Sequence, residues 1–326
     1  MTDAQRAADL IRVDPELWFS TFGKIKDKRG KVIKPKANTL QQRMFAHYRK
    51  CQLEGVGCKM VVLKPRQKGA STCAQALVYH HMRKNADLAG SLMGDIAGTS
   101  DKVFEIYRRF GELDDFPWDG YGGNLEEKGN LADAITTVTG CVYGKETAGS
   151  KNAGRSGTIQ VGNMTEVAFW PTQGERDPAL GYLQSLYDGD SVSLCVADST
   201  PNGPQGWFYR TYTQENEWAK IFAAWFEFED SSISFKSEDE LELFKEKLTE
   251  DEKSEKARFD VTYEQLKWRR RTLQDKCNGD VNKFRQEYPS DPDECFLLSS
   301  RPRFQVQITE DMFKTAQKQR FKKSTL

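Results

Sequence analysis

Residues 59–84 read KMVVLKPRQKGASTCAQALVYHHMRK, and three physical signals follow one another along them. KMVVLK (59–64) is a compact apolar run that suits a buried strand. PRQKGAST packs two cations, a glycine and two hydroxyls into one turn, and CAQALVYHHMRK reads as the helix leaving it. A strand–turn–helix unit binds phosphate when successive backbone N–H groups and the helix N-terminus point at one place. The general pattern G-x-x-x-x-G-K-[ST] puts its lysine on the phosphates and its hydroxyl on Mg²⁺. Here Gly69 and Ser71 fit, Lys64 stands where the first glycine is expected, and Ala70 replaces the lysine. The positive charge then has to come from inside the loop, from Arg66 or Lys68. The candidate nucleotide loop is therefore Lys64, Pro65, Arg66, Gln67, Lys68, Gly69, Ala70, Ser71 and Thr72.

Working outward, the N-terminal 20 residues read as an amphipathic helix with Ala8, Ile11 and Trp18 facing inward. Asp27–Gly30 is a turn between two short strands, and Thr39 is placed to cap a helix over 40–51. AGSLMGD (89–95) is a strand and 100–113 a helix with apolar spacing at Val103, Ile106, Tyr107 and Phe110. Residues 114–133 read as loop, ITTVTGCVYG (135–144) as one alternating strand, and SKNAGRSG (150–157) as a polar loop. Further strands run into Glu166, over 191–199 and near 221–228, with a helix from Trp207. Strands alternating with helices to about residue 230 predict an α/β fold with a mostly parallel central sheet. Residues 236–288 are charged and helical, a small lid after the core.

Three further segments carry candidate chemistry. In MTEVAFW, Glu166 ends an apolar strand and suits polarisation of an attacking water. Thr165 precedes it, where a metal-orienting aspartate is expected, and would hold the metal's waters through its hydroxyl. In VADSTPNGPQG, Ser199 and Thr200 lie at the carboxyl edge of the sheet, where ligands of open α/β folds bind. Arg155, in a glycine-flanked loop, is of the type that stabilises charge on a transferred phosphoryl group. The basic runs Lys24–Lys36 and KWRRR (267–271) read as solvated faces rather than DNA contacts.

The totals exclude several classes. Lysine plus arginine equals aspartate plus glutamate at 48 each, so the bulk charge offers no attraction to a polyanion. Seven scattered cysteines without a C-x-x-C pair read as reduced thiols, and three histidines make a zinc site an unfavoured reading. No apolar run is long enough to span a membrane.

Taken in order, the segments IKDKRGKVIKPKANTLQQR, LKPRQKGAST, GRSGTIQVGNMTEVAFW, DSTPNG and FRQEYPSDPDECFLLSS (284–300) resemble the ATPase domain of the large terminase subunit of tailed bacteriophages. That family is the motor that pumps DNA into a procapsid. The resemblance implies a P-loop NTPase of the ASCE type with a helical lid, acting on ATP with Mg²⁺. It implies Gln41, and second Gln42, at the adenine. Arg66 and Lys68 would contact phosphates, and Ser71 would hold Mg²⁺. Glu166 would activate water, Arg155 would reach the nucleotide of the adjoining subunit, and Ser199 with Thr200 would couple hydrolysis to movement. The implied partners are double-stranded DNA, the portal protein, the small terminase subunit and further copies in a homo-oligomeric ring. The implied location is the portal of a procapsid in the host cell cytoplasm, with no membrane.

The domain expectation is a P-loop core over 1–230, a helical lid over 231–300, and over 301–326 the start of a linker toward a nuclease domain outside this chain. Two other function classes compete with the motor. One is a helicase-like ATPase remodelling nucleic acid, which calls for a second comparable core. The other is a degenerate P-loop serving as a DNA-binding module without turnover, motivated by Ala70 and Thr165.

Overall fold

The computed structural model describes residues 2–118, 129–131, 133–137, 139–150, 157–171 and 177–299. Its strands are β1 (Ile25–Lys26), β2 (Val32–Ile33), β3 (Cys58–Leu63), β4 (Ala89–Gly94), β5 (Gly129–Leu131), β6 (Ala134–Thr136), β7 (Val142–Thr147), β8 (Val161–Thr165), β9 (Leu194–Ser199) and β10 (Ala219–Phe222). The helices are α1 (Asp3–Val13), α2 (Pro15–Thr21), α3 (Thr39–Glu54), α4 (Ala70–Lys84), α5 (Ala97–Leu113), α6 (Pro178–Ser185) and α7 (Gly206–Thr213). Five more follow: α8 (Glu238–Glu246), α9 (Glu250–Phe259), α10 (Tyr263–Cys277), α11 (Val281–Glu287) and α12 (Glu294–Ser299).

β1 and β2 form a separate hairpin; the other eight strands make one sheet in the order β10-β3-β9-β8-β4-β7-β6-β5. The pairings from β10 to β7 are parallel, and β6 and β5 add on antiparallel at the edge. The expected α/β architecture with a mostly parallel sheet is what the chain adopts. β9 inserts between β3, which leads into the loop at Lys64, and β8, which leads into Glu166.

The sheet is covered on both faces, as a parallel sheet must be. Alternate residues divide between two apolar clusters. Met60, Val62, Val161, Leu194 and Val196 pack with Cys73, Ala74 and Leu77 of α4. Val61, Leu63, Met164, Cys195 and Ala197 pack on the opposite side with Tyr182, Trp207 and Phe208. The period-2 alternation of the strands thereby decides which side chains at the carboxyl edge face the first turn of α4. The core helix α4 is fixed from outside by Asp114, buried, which accepts hydrogen bonds from Trp18 Nε1 (3.2 Å), Tyr79 Oη (2.9 Å) and Trp118 Nε1 (2.8 Å).

Helices α8 to α11 gather a cluster of their own with Trp225: Phe244, Val261, Leu266, Cys277, Phe284 and Tyr288, whereas α12 packs back on the sheet-side core through Cys295 and Phe296. The KWRRR cations are consumed inside this unit. Lys267 pairs with Glu240 (2.8 Å), Arg269 with Asp251, Arg270 with Glu252 (2.6 Å) and Arg271 with Asp275 (3.3 Å).

Several sequence boundaries shift, each for a local reason. The N-terminal helix breaks at Asp14–Pro15, where Asp14 caps α2 and proline takes its first position. Asn38, not Thr39, caps α3, in a reciprocal box with Gln41. The strand expected over 135–144 is two strands, because a turn with Gly140 at φ 83° folds β6 back onto β7. β5 lies in what reads as loop, and the strand near 221–228 ends at Phe222, where the chain passes into a short 3-10 turn over Trp225–Glu227.

Candidate active site

β3 ends at Leu63, and Lys64 begins the loop with its side chain only 7% exposed. Pro65 is buried, Arg66 and Gln67 are exposed, and Gln67 takes a left-handed backbone (φ 58°). Gly69 (φ 77°) then caps α4 without a side-chain bond, so the amides of the first turn, Ala70, Ser71 and Thr72, have no capping side chain. Glycine is needed there twice over. Its φ is one that other residues rarely adopt, and a Cβ would lie 2.8 Å from Gln41 Nε2.

α3 grips this loop from the side. Asn38 Nδ2 donates to Lys68 O (2.9 Å), and Gln41 Nε2 donates to Gly69 O (2.9 Å). Gln41 also caps its own helix, accepting from Asn38 N (3.1 Å), so its amide is committed to shaping the loop. Gln42 is the exposed neighbour and lines the cleft in front of the loop.

At the centre lies a set of charges that the sequence order conceals. Lys64 Nζ meets Asp198 Oδ2, Glu166 Oε1 (3.0 Å) and Ser71 Oγ (3.2 Å). Ser71 Oγ donates to Asp198 Oδ2 (3.1 Å), and Thr165 Oγ1 does so at 3.4 Å. Burial by itself pulls the Lys64 ammonium down. The Asp198 and Glu166 carboxylates outweigh that cost, and they hold it charged, above the ordinary lysine range.

Strand geometry explains the convergence. Asp198 pairs in register with Val62 on one side and Thr165 on the other. All three therefore face α4, where Val62 packs. Glu166 is one residue further, so alternation alone would send its side chain to the other face. Instead it adopts φ 53° and ψ 38°, ending the strand and turning its carboxylate to Lys64. A left-handed non-glycine residue costs of order 1–3 kcal/mol and tends to occur at functional sites.

The other sequence candidates take distinct positions. Arg66, 60% exposed, pairs with Glu287 (3.0 Å), and its backbone N–H donates to Glu287 O (2.8 Å), tying the loop to α11. Lys68 is buried against Asp230, Ser231 Oγ (2.7 Å) and the Phe228 and Trp268 rings, its ammonium pulled below the ordinary lysine value by burial. Ser199 Oγ accepts from Ala168 N (3.2 Å) and Asn202 Nδ2 donates to Ala168 O (3.0 Å), so the strand end after Asp198 holds the turn that carries Glu166. Thr200 is buried at the cleft. Gln286 Nε2 donates to Pro201 O (3.0 Å), which joins α11 to the same loop. Thr165 is fully buried and spends its hydroxyl on Asp198. Arg155 lies outside the described residues.

Lys64, Arg66, Lys68, Ser71, Glu166 and Thr200 all line one cleft of about 1410 Å³, which continues past Gln42 to the β1–β2 hairpin. That exceeds the usual small-ligand pocket. The donors toward a metal are hard oxygens, the Ser71 hydroxyl and the Asp198 carboxylate. Asp198 Oδ1 is buried with no hydrogen-bond partner among the described residues. An oxygen set with an orphaned carboxylate atom fits Mg²⁺.

Sequence reasoning missed Asp198 and cast Lys64 as a lost glycine. A signal for both existed. An aspartate inside the apolar strand SLCVADS is a charge with nowhere to go unless a cation meets it. A second grouping also escapes spacing rules: His47, Cys51 and Cys58 place ligand atoms within 4.8 Å of one another where α3 meets β3.

No family model matches the sequence, and no curated protein matches it. Solved structures do. The large terminase of bacteriophage HK97 is 11% identical, with 76% of this chain and 52% of that chain aligned at a TM-score of 0.51. The ATPase domain of the Thermus phage P74-26 large terminase is 14% identical over 78% of this chain and 94% of its own, at a TM-score of 0.46. The large terminase of a second thermophilic bacteriophage, in complex with ADP, is 14% identical over 78% of this chain and 53% of that one, also at 0.46. With this strand order the chain has the fold of the ATPase region of a phage large terminase, that of HK97.

Proposed function

We propose that the chain is an ATP-hydrolysing motor domain that drives double-stranded DNA into a procapsid. The observation that carries this reading is the buried set of Lys64, Ser71, Asp198 and Glu166 at the N-terminus of α4. No structural connection calls for a lysine and two carboxylates in one place beside uncapped helix amides.

In this reading the amides of α4 and the Lys64 ammonium hold the β- and γ-phosphates. Arg66 and Lys68 add charge at the cleft wall. Mg²⁺, bound through Ser71, would neutralise phosphate oxygens. Glu166 polarises the attacking water. Its present hydrogen bond to Lys64 keeps it occupied, and a phosphate competing for Lys64 releases it. Gln41 and Gln42 stand on the adenine side. Ser199 and Thr200 pass the change to α11 through the Pro201–Gln286 and Arg66–Glu287 contacts.

Arg155 is proposed to complete the site of the adjoining subunit in a homo-oligomeric ring at the portal, in the host cytoplasm, with the small terminase subunit delivering DNA. A sequence-blind motor needs phosphate contacts rather than base contacts. Among the described residues no helix is long and apolar enough to cross a membrane.

The test is steady-state phosphate release from Mg²⁺-ATP, with and without linear duplex DNA, at concentrations where rings assemble. DNA-stimulated turnover is expected, and its loss in Arg155→Ala should be restored by mixing with a Glu166→Gln chain that supplies the arginine. Background-level release under every condition would end the motor reading.

A further inference from the structure

Three observations meet at one side chain that the motor reading does not itself require. Asp198 is fully buried near the end of β9, directly across the ladder from Thr165, the position before the water-activating glutamate. Its Oδ2 collects Lys64, Ser71 Oγ (3.1 Å) and Thr165 Oγ1 (3.4 Å), while Oδ1 has no hydrogen-bond partner among the described residues. A buried carboxylate oxygen with no partner is costly, and native proteins rarely keep one without a use.

Thr165 does not behave as a metal anchor. Its hydroxyl is within reach of Asp198 Oδ2 and has no other hydrogen-bond partner among the described residues. The two residues share a face of the sheet because parallel pairing in register puts their side chains on one side. A carboxylate moved from β8 to the same level of β9 therefore still looks at the first turn of α4. Ser71, in that turn, already touches it.

We propose that Asp198, on the strand beside β8, is the carboxylate that orients Mg²⁺ together with Ser71. Thr165 is its positioning partner. This rests on the reading of the cleft as an Mg²⁺-nucleotide site and deepens it. The metal carboxylate and the water-activating carboxylate come from adjacent strands rather than from consecutive residues. Lys64 is then the resident counter-ion paired with Asp198 in the absence of the metal. The Ser199–Ala168 bond ties the end of β9 to the short turn that follows β8 and Glu166.

The experiment uses Mn²⁺ as the probe, its electron paramagnetic resonance signal reporting free ion, with the full chain and a non-hydrolysable ATP analogue. Asp198→Asn is expected to weaken Mn²⁺ binding to the protein–analogue complex by about 10- to 100-fold, the range seen when groups that support a metal are removed. Metal-free analogue binding in chelator, measured in parallel, separates loss of the metal from loss of the nucleotide loop. Thr165→Val, which removes only the hydrogen bond, should weaken Mn²⁺ by less than about tenfold.

Should Asp198→Asn not fold, the exchange Thr165→Asp with Asp198→Thr keeps one buried carboxylate beside Lys64 and is expected to retain the Mn²⁺ response; a folded exchange variant without it overturns the proposal. Wild-type Mn²⁺ affinity in Asp198→Asn would overturn the role of Asp198 and leave the nucleotide site standing. A wild-type chain with no Mn²⁺-dependent analogue binding would overturn both.

Discussion

Replacing Lys64 by methionine keeps most of the side chain's volume and deletes its charge. The structure says what that leaves behind. Asp198 is wholly buried and loses the only cation paired with it among the described residues, whereas Glu166 is 30% exposed and can turn to water. Breaking a buried pair by removing one partner costs about 3–5 kcal/mol, and the screened Glu166 contact adds at most about 1 kcal/mol. Against a typical total of roughly 5–15 kcal/mol, Lys64→Met should remove a large share of the stability.

Asp198→Asn is milder, because Lys64 keeps Glu166. A loss of about 1–3 kcal/mol is expected, that of a hydrogen-bonded charge. The double variant has no uncompensated buried charge and should recover to within about 2 kcal/mol of wild type. Urea unfolding followed by tryptophan fluorescence reads all three, since Trp18 and Trp225 are fully buried in separate clusters. A cycle that is additive within about 0.5 kcal/mol, or a Lys64→Met loss below about 1 kcal/mol, would refute the buried pair.

Two other perturbations follow from the same geometry. Gly69→Ala forces a φ of 77° on a residue with a Cβ and presses that Cβ against Gln41, so it should cost about 1–3 kcal/mol and weaken nucleotide-analogue binding by calorimetry. Analogue binding equal to wild type would show the loop tolerates the change. Burial lowers His81 to about 4 and His80 to about 3, both from 6.5. The unfolded chain then binds more protons below pH 6.5, so stability is full above that pH and is lost as pH falls toward 4 and then 3. His81 alone accounts for about 3 kcal/mol of that loss, and urea midpoints measured from about pH 7 to about pH 4.5 should fall steadily. Flat midpoints over that range would contradict neutral burial of these rings.

How much of this was legible in the chain depends on how local each feature is. The loop from Lys64 to Thr72 joins one strand to one helix, and its residue types point to the proposed phosphate site without reference to the rest. Glu166 is similarly local, the polar end of an apolar strand. Asp198 is not. Its contacts with Lys64, Ser71 and Thr165 exist because β9 inserts between β3 and β8, and strand order in a parallel sheet is set by long crossovers rather than by neighbours in sequence. Lys64 suffered from the same blindness: compared with a pattern it was a missing glycine, and only the strand beside it makes it the central cation. The commitments of Gln41 to Gly69 and of Arg66 to Glu287 are likewise contacts between distant segments. The hairpin hidden in 134–147 is the opposite kind of miss, a local turn at Gly140 masked by continuous alternation on both sides.

The proposed function stands most directly on Glu166 acting as the residue that activates water beside a Lys64-held phosphate. The measurement is single-turnover hydrolysis of Mg²⁺-ATP by the wild-type chain and by Glu166→Gln, with analogue affinity measured in parallel. Glutamine keeps the hydrogen bond to Lys64 but cannot polarise water as a base. The hydrolysis rate should fall about 10²- to 10⁴-fold while affinity stays within a few-fold. Equal hydrolysis rates in the two proteins would contradict it.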